Sequence, residues 1–274
     1  MKRTLALFYG VMVYVFFLGT FLYTIAFVGN FGVRNGIDSG RIPRCRPRLR
    51  SIWSCWLPLQ FSTSVMARKG FKKWWTRFVP KPVERTTFVL SATIALAELL
   101  WQWRAIPSVI WDVRDSHAAT LALTGLFGLG WAVLLVSTFL LNHFELFGLE
   151  QVWNYFLGRE ARPASFKTPG LYRVVRHPIY LGFVIGFWAT PLMTTGHLLL
   201  AIGCTAYILV GIAFEERDLI AAYGQKYLEY RRRVTMLMPS FNGSKKAPEG
   251  LVAGLPHSYQ ELTFEDIIQR MDVS

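Results

Sequence analysis

The run RHPIYLGFVIGFWATPLMTTGHLLLAIGCTAYILVGIAFEE, from Arg176 to Glu216, sets the architecture expected of this chain. Between its charged ends, Pro178 to Phe214 contains no Asp, Glu, Lys or Arg over 37 residues. A single membrane helix needs about 20 mostly apolar residues, so this run is too long for one crossing. Pro191 and Gly196 interrupt it, with Thr190, Thr194 and Thr195 between, which predicts a helical hairpin. The first arm, about Ile179 to Ala189, is short for a full crossing and must tilt or begin inside the membrane. Closing the hairpin returns the Arg176 and Glu215 clusters to one membrane face.

Composition agrees with a membrane reading. The chain has 274 residues and is 53% hydrophobic, with 21 Phe and 10 Trp, yet its net charge is +13. Basicity alone would suggest nucleic acid, but a nucleic-acid binder does not carry such long uncharged runs. Thr4 to Val33 is uncharged for 30 residues and Ser116 to Phe144 for 29, and Thr86 to Trp103 is interrupted only by Glu98. The first run, roughly Leu5 to Val28, exceeds a signal peptide's apolar core and lacks a cleavage site, so a retained helix is expected. Ser51 to Ala67 is a marginal span containing Pro58. The expected fold is therefore all-α: a polytopic membrane helical bundle of five to six spans with a C-terminal helical hairpin. Residues 1–239 would form one membrane domain and 240–274 a flexible tail, with Thr263 to Met271 as an optional short helix.

Two clusters flank the hairpin. The first, Gly170 to Gly182, contains Tyr172, Arg176, His177, Pro178 and Tyr180. Pro178 suits a first helical position, where a missing N–H costs nothing. The free N–H groups of that first turn, with Arg176 beside them, would suit a carboxylate. The second cluster holds Glu215, Glu216, Tyr223, Tyr227, Tyr230 and Arg231 to Arg233, and its carboxylates could accept an ammonium or ribose hydroxyls. Alone, the first cluster also reads as a basic juxtamembrane anchor, and the second as a solvated amphipathic helix with i,i+4 ion pairs such as Glu229 with Arg233. Together, on one face, they can hold a zwitterion. Cys45, Cys55 and Cys204 lack CxxC spacing and the five His are scattered, so no metal-ligand set is assembled.

Arg176-His177-Pro178-x-Tyr180-x-Gly182, the hairpin, Glu215-Glu216-x-x-Leu219, Tyr223-Gly224-x-x-Tyr227 and Pro239 resemble the isoprenylcysteine carboxyl methyltransferase superfamily. That group includes phospholipid methyltransferases and NnrU-like proteins. The resemblance implies an integral membrane enzyme using S-adenosyl-L-methionine without a Rossmann domain, and no Gly-rich fingerprint follows a strand here. Phe27 to Asn30, Ser64 to Arg68, Gly70 to Trp75, Asn142 to Leu149 and Phe187 to His197 are more similar to the bacterial methanethiol S-methyltransferases. The resemblance covers about residues 1–40 and 62–239. It implies a small thiol, methanethiol, methylated to dimethyl sulfide; a larger isoprenoid or lipid acceptor and a non-catalytic NnrU-like protein are the alternatives.

Carried over, Arg176, His177, Pro178, Tyr180, Glu215, Glu216 and Tyr223 would bind the cofactor. Arg176 would meet the methionyl carboxylate, and a Glu its amino group. A small thiol is mostly protonated at neutral pH and needs a base. His143 is the candidate, with Asn142, Glu145 and Tyr172 lining the substrate pocket; a helix-capping His is the competing reading. His197, at the hairpin turn, reads as structural. The expected setting is the bacterial inner membrane, with the lipid bilayer as partner and no nucleic acid. Nothing in the residues indicates an oligomer.

Arg41 to Arg50 departs from that family, where an apolar second span belongs, and Ser62-Thr63 replaces a Gln-His pair. A local reading-frame disturbance over about 41–63 is one explanation, ordinary loop divergence another. Residues 34–85 contain 13 Lys/Arg against 2 acids and so carry +11 of the net +13. Placing Arg68 to Arg85 in the cytoplasm obeys the positive-inside rule and puts the Arg176/Glu215 site on the cytoplasmic face.

Overall fold

The computed structural model describes residues 2–39, 79–159 and 166–239. Ser51–Ala67, the Arg41–Arg50 run, Cys45, Cys55 and the tail with Thr263 lie outside the described residues. Those described fold into eight α-helices and one small sheet. Helix α1 is Lys2–Gly29, α2 Lys81–Gln102, α3 His117–Leu141, α4 His143–Leu146 and α5 Leu149–Leu157. Helix α6 is Pro178–Trp188, α7 Thr195–Tyr223 and α8 Gln225–Arg233, with a 3-10 turn at Gly170–Arg173.

Three helices, α1, α3 and α7, are long and apolar enough to cross a membrane. Their outward faces carry Leu5, Phe8, Leu121, Leu129, Val210 and Phe214, all exposed, as expected of side chains that meet lipid. Helix α2 is 22 residues long but carries Lys81, Glu84, Arg85 and Glu98. Short α6 covers Pro178–Trp188, close to the arm expected from the sequence.

The all-α expectation needs one correction, because the chain is mostly helical with a two-stranded sheet. Strand β1, Val109–Asp112, pairs antiparallel with β2, Leu192–Thr194, inside the hairpin turn. Pro191 ends the helical run, and the freed backbone groups then need partners. Val113 N–H donates to the Pro191 carbonyl (2.9 Å), and Thr195 N–H to that of Ser108 (2.7 Å). Period-2 patterning over three or four residues is too short to be read from sequence.

The described residues fall into two compact units. One is drawn from Met1–Ala161 and Ile179–Tyr207, the other from Arg162–Pro178 and Ile208–Ser274. In the first, α1 packs along α2 and α5. Helices α3 and α6 meet backbone to backbone. A Cβ on Gly130 would lie 2.8 Å from the Gly186 nitrogen, and one on Gly182 2.6 Å from the Gly130 carbonyl oxygen. Small residues permit this approach, which supplies packing where lipid offers no hydrophobic drive between helices. Trp188 Nε1 donates to Thr205 Oγ1 (3.0 Å), joining the hairpin arms.

The hairpin end of this unit is fastened by a buried carboxylate. Asp38 accepts from Thr194 Oγ1 (2.5 Å) and from Asn30 Nδ2 (2.6 Å), and faces His197 Nδ1 at 3.4 Å. His197 is fully buried, and its Nε2 lies 2.9 Å from the Phe187 carbonyl oxygen. Burial works against ionisation of Asp38, but the bonds from His197 and Thr194 outweigh it and lower its pKa. His197 thus has a structural part at the turn.

Candidate active site

The second unit gathers Tyr172, Arg176, His177, Pro178, Glu215, Glu216 and Tyr223. Its frame is the segment after α8, which runs beside the segment before α6 through a parallel bridge, Val175 to Thr235. The Arg176 N–H donates to the Thr235 carbonyl (2.8 Å) and the His177 N–H to that of Met236 (3.2 Å). Both side chains are thereby fixed before either meets a partner.

Arg176 joins three segments. Its Nε donates to Glu216 Oε1 at 2.8 Å, and Nη1 donates to the carbonyls of Arg231 (2.9 Å) and Val234 (2.7 Å). The guanidinium therefore closes the C-terminal end of α8, where free carbonyls favour a cation. Nη2 makes no hydrogen bond among the described residues. Glu216, with its side chain 9% exposed, also faces Arg231 Nε at 3.3 Å and His177 Nε2 at 3.3 Å. A carboxylate this buried is tenable because it is paired and hydrogen-bonded. Glu215 differs: its side chain is 45% exposed, and Oε2 lies 3.7 Å from His177 Nδ1. The Glu229–Arg233 pair expected on α8 is present at 3.8 Å.

An aromatic wall completes the unit. Phe166 lies against Tyr223, Tyr227 and Tyr230, with ring centroids 5.1, 5.9 and 5.5 Å away. The Tyr230 hydroxyl donates to the Tyr172 carbonyl oxygen at 2.5 Å. Burial, partly offset by Arg176 and reinforced by Glu216, pushes Tyr230 up to about 12. Burial and neighbouring charges raise Tyr172 and Tyr227 as well, so all three remain O–H donors at neutral pH. Tyr227 is 1% exposed, and its buried hydroxyl has no hydrogen-bond partner among the described residues. Such an orphan is rare in folded proteins and calls for an explanation.

Tyr180, Asn142, His143 and Glu145 belong to the first unit. Tyr180 is half-buried on the first turn of α6. Asn142, with φ +102°, both ends α3 and starts α4, accepting from Glu145 N–H and donating to Glu145 and Glu150. Its side chain is spent on capping. Glu145 is exposed. His143 is 5% exposed and bonded through both ring nitrogens, to Tyr14 and Thr138.

Tyr227 and Arg231 stand within the sequence motifs but outside the site residues those motifs predict, and Tyr14, which meets His143, stands outside the motifs altogether. Tyr14 shares the charge-free run of α1 with Tyr9 and Tyr23, and a phenol in such a run needs a hydrogen-bond partner.

Comparison with known proteins adds a family. A profile described as Phospholipid methyltransferase matches residues 121–226. A Mycobacterium tuberculosis protein named Methanethiol S-methyltransferase is 52% identical, over 87% of this chain and 98% of its own length. Methanethiol S-methyltransferase 1 of Bradyrhizobium diazoefficiens is 51% identical, over 86% and 83%. A Crocosphaera subtropica protein named Methanethiol S-methyltransferase is 46% identical, over 89% and 95%. No solved structure matches the chain.

Proposed function

Because the chain belongs to the methanethiol S-methyltransferase family, we propose that it methylates methanethiol to dimethyl sulfide, with S-adenosyl-L-methionine as methyl donor. It is an integral membrane protein. In this reading residues 1–239 are the catalytic domain, with five to six spans in the bacterial inner membrane and the donor site facing the cytoplasm.

The observation that carries the donor assignment is the orphaned Tyr227 hydroxyl in the unit that holds the Arg176–Glu216 pair. The residues present fit a zwitterionic sulfonium. Arg176 has Nη2 in reserve for a carboxylate, Tyr227 has an unused O–H, and half-exposed Glu215 can accept an ammonium. Glu216 is already paired with Arg176 and Arg231, so it suits holding the guanidinium in place. His177 stands between the two carboxylates, Pro178 opens α6, and Tyr223 would pack against adenosine. Bound there, the donor supplies an electrophilic methyl group on a positively charged sulfur. Attack by a thiolate cancels both charges, so surroundings that exclude water favour the reaction. Within the first unit, His143 is the proton acceptor in this reading, with Asn142 and Glu145 near the thiol.

The test is binding of labelled S-adenosyl-L-methionine to purified protein, followed by headspace detection of dimethyl sulfide after methanethiol is added. Saturable binding with dimethyl sulfide is expected. Binding without volatile product overturns the acceptor, and absence of binding overturns the donor.

A further inference from the structure

His143 has no ring nitrogen open to a substrate. Nδ1 lies 2.9 Å from Thr138 Oγ1, and Nε2 lies 2.8 Å from the Tyr14 hydroxyl. The directions of these bonds follow from the neighbours. The Thr138 proton goes to the Leu135 carbonyl at 2.7 Å, so towards the ring Thr138 can only accept. Nδ1 therefore carries the proton, Nε2 is the basic nitrogen, and Tyr14 donates to it. Burial lowers the pKa of His143, in keeping with a neutral ring.

Aromatic rings surround the pair. Phe17, Phe144 and Phe147 lie 6.4, 6.2 and 6.5 Å from the Tyr14 ring, and Phe139 stacks on His143 at 4.4 Å. Such walls suit a small polarizable sulfur compound. Tyr14 is half-buried, and with its proton committed to Nε2 its oxygen keeps a lone pair.

We propose that Tyr14 is a catalytic residue that takes the proton of a small thiol and passes its own to His143 Nε2, with Thr138 fixing the tautomer that makes this possible. The inference rests on the thiol reading above. The thiol S–H bond breaks as its proton moves to the Tyr14 oxygen, and the Tyr14 O–H bond breaks as that proton moves to Nε2. The electron pair left on sulfur forms the new S–CH3 bond. The carbon–sulfur bond of a sulfonium donor breaks, with its pair going to the donor sulfur. His143 is left as imidazolium, still bonded to Thr138 through Nδ1–H, and returns its extra proton to water.

The experiment uses full-length protein in lipid nanodiscs, wild type and Tyr14→Phe. Methanethiol is compared with trifluoroethanethiol, a small thiol that ionises far more readily. Loss of acid–base assistance costs on the order of 100-fold or more. Tyr14→Phe should lose about that in kcat for methanethiol at pH 7, regain it as pH rises, and keep most activity on trifluoroethanethiol. Equal loss on both thiols, or none on either, would overturn the relay. Imidazole 15N NMR, with His143 assigned from His143→Gln, is independent of turnover and should show Nδ1–H in wild type. An Nε2–H tautomer sinks the proposal even if Tyr14→Phe does not fold. Wild-type protein with the Nδ1–H tautomer that forms no dimethyl sulfide refutes the thiol reading and takes the relay's substrate with it.

Discussion

Arg176 shows how much one side chain can join. It meets a carboxylate and two carbonyls on separate segments, a set that suits the planar guanidinium fork and not the single point of an ammonium. Replacing it by Ala leaves Glu216 buried with weaker partners, and removing one member of such a pair costs about 3–5 kcal/mol. Arg176→Lys should fail almost as badly, with donor affinity down at least tenfold by equilibrium binding and a lowered thermal midpoint. Tyr230 offers a pH test. Its pKa is about 12 in the folded chain, against about 10 when unfolded. Its contribution to stability is therefore complete below pH 10 and lost as pH climbs towards 12. Tyr230→Phe should flatten the stability profile across that window, read by denaturation at fixed pH steps.

Among the elements, the α3–α6 crossing tolerates the least change. The approaching atoms at Gly130 and Gly182 include backbone, which cannot swing aside. Gly130→Leu and Gly182→Leu should each abolish folded protein in detergent extracts, while Gly125→Leu, where an added Cβ meets nothing, should be neutral. The Asp38–His197 fastening is the second constraint. Asp38→Asn keeps the shape but removes the charge facing His197, and should lower the midpoint of unfolding without changing donor affinity. Much of this is legible in sequence only as permission. Pro191, Gly196 and three Thr announce a turn, and a long uncharged run announces two arms. That Thr194 and His197 would both meet Asp38, more than 150 residues earlier, has no local signature.

For the whole molecule, three apolar helices with lipid-facing flanks require a bilayer, and orientation is then a matter of charge. Single cysteines placed at Lys226 and Arg114 test it. A membrane-impermeant maleimide should label the first only from the cytoplasmic side and the second only from outside, and the reverse pattern would overturn the orientation. The chain's own hydropathy, charge-free runs and turn residues determined its membrane class, its hairpin and the return of the Arg176 and Glu216 clusters to one face. These depend on sums over neighbouring residues, which sequence displays directly. The tertiary structure alone decided that Arg176 and Glu216 bind each other, that Tyr227 keeps an unspent hydroxyl, and that Tyr14 caps His143 across 129 positions. Those outcomes depend on how each helix is rotated about its axis, and in the α3–α6 pair that rotation is set by backbone contact at glycines, which apolar patterning does not encode.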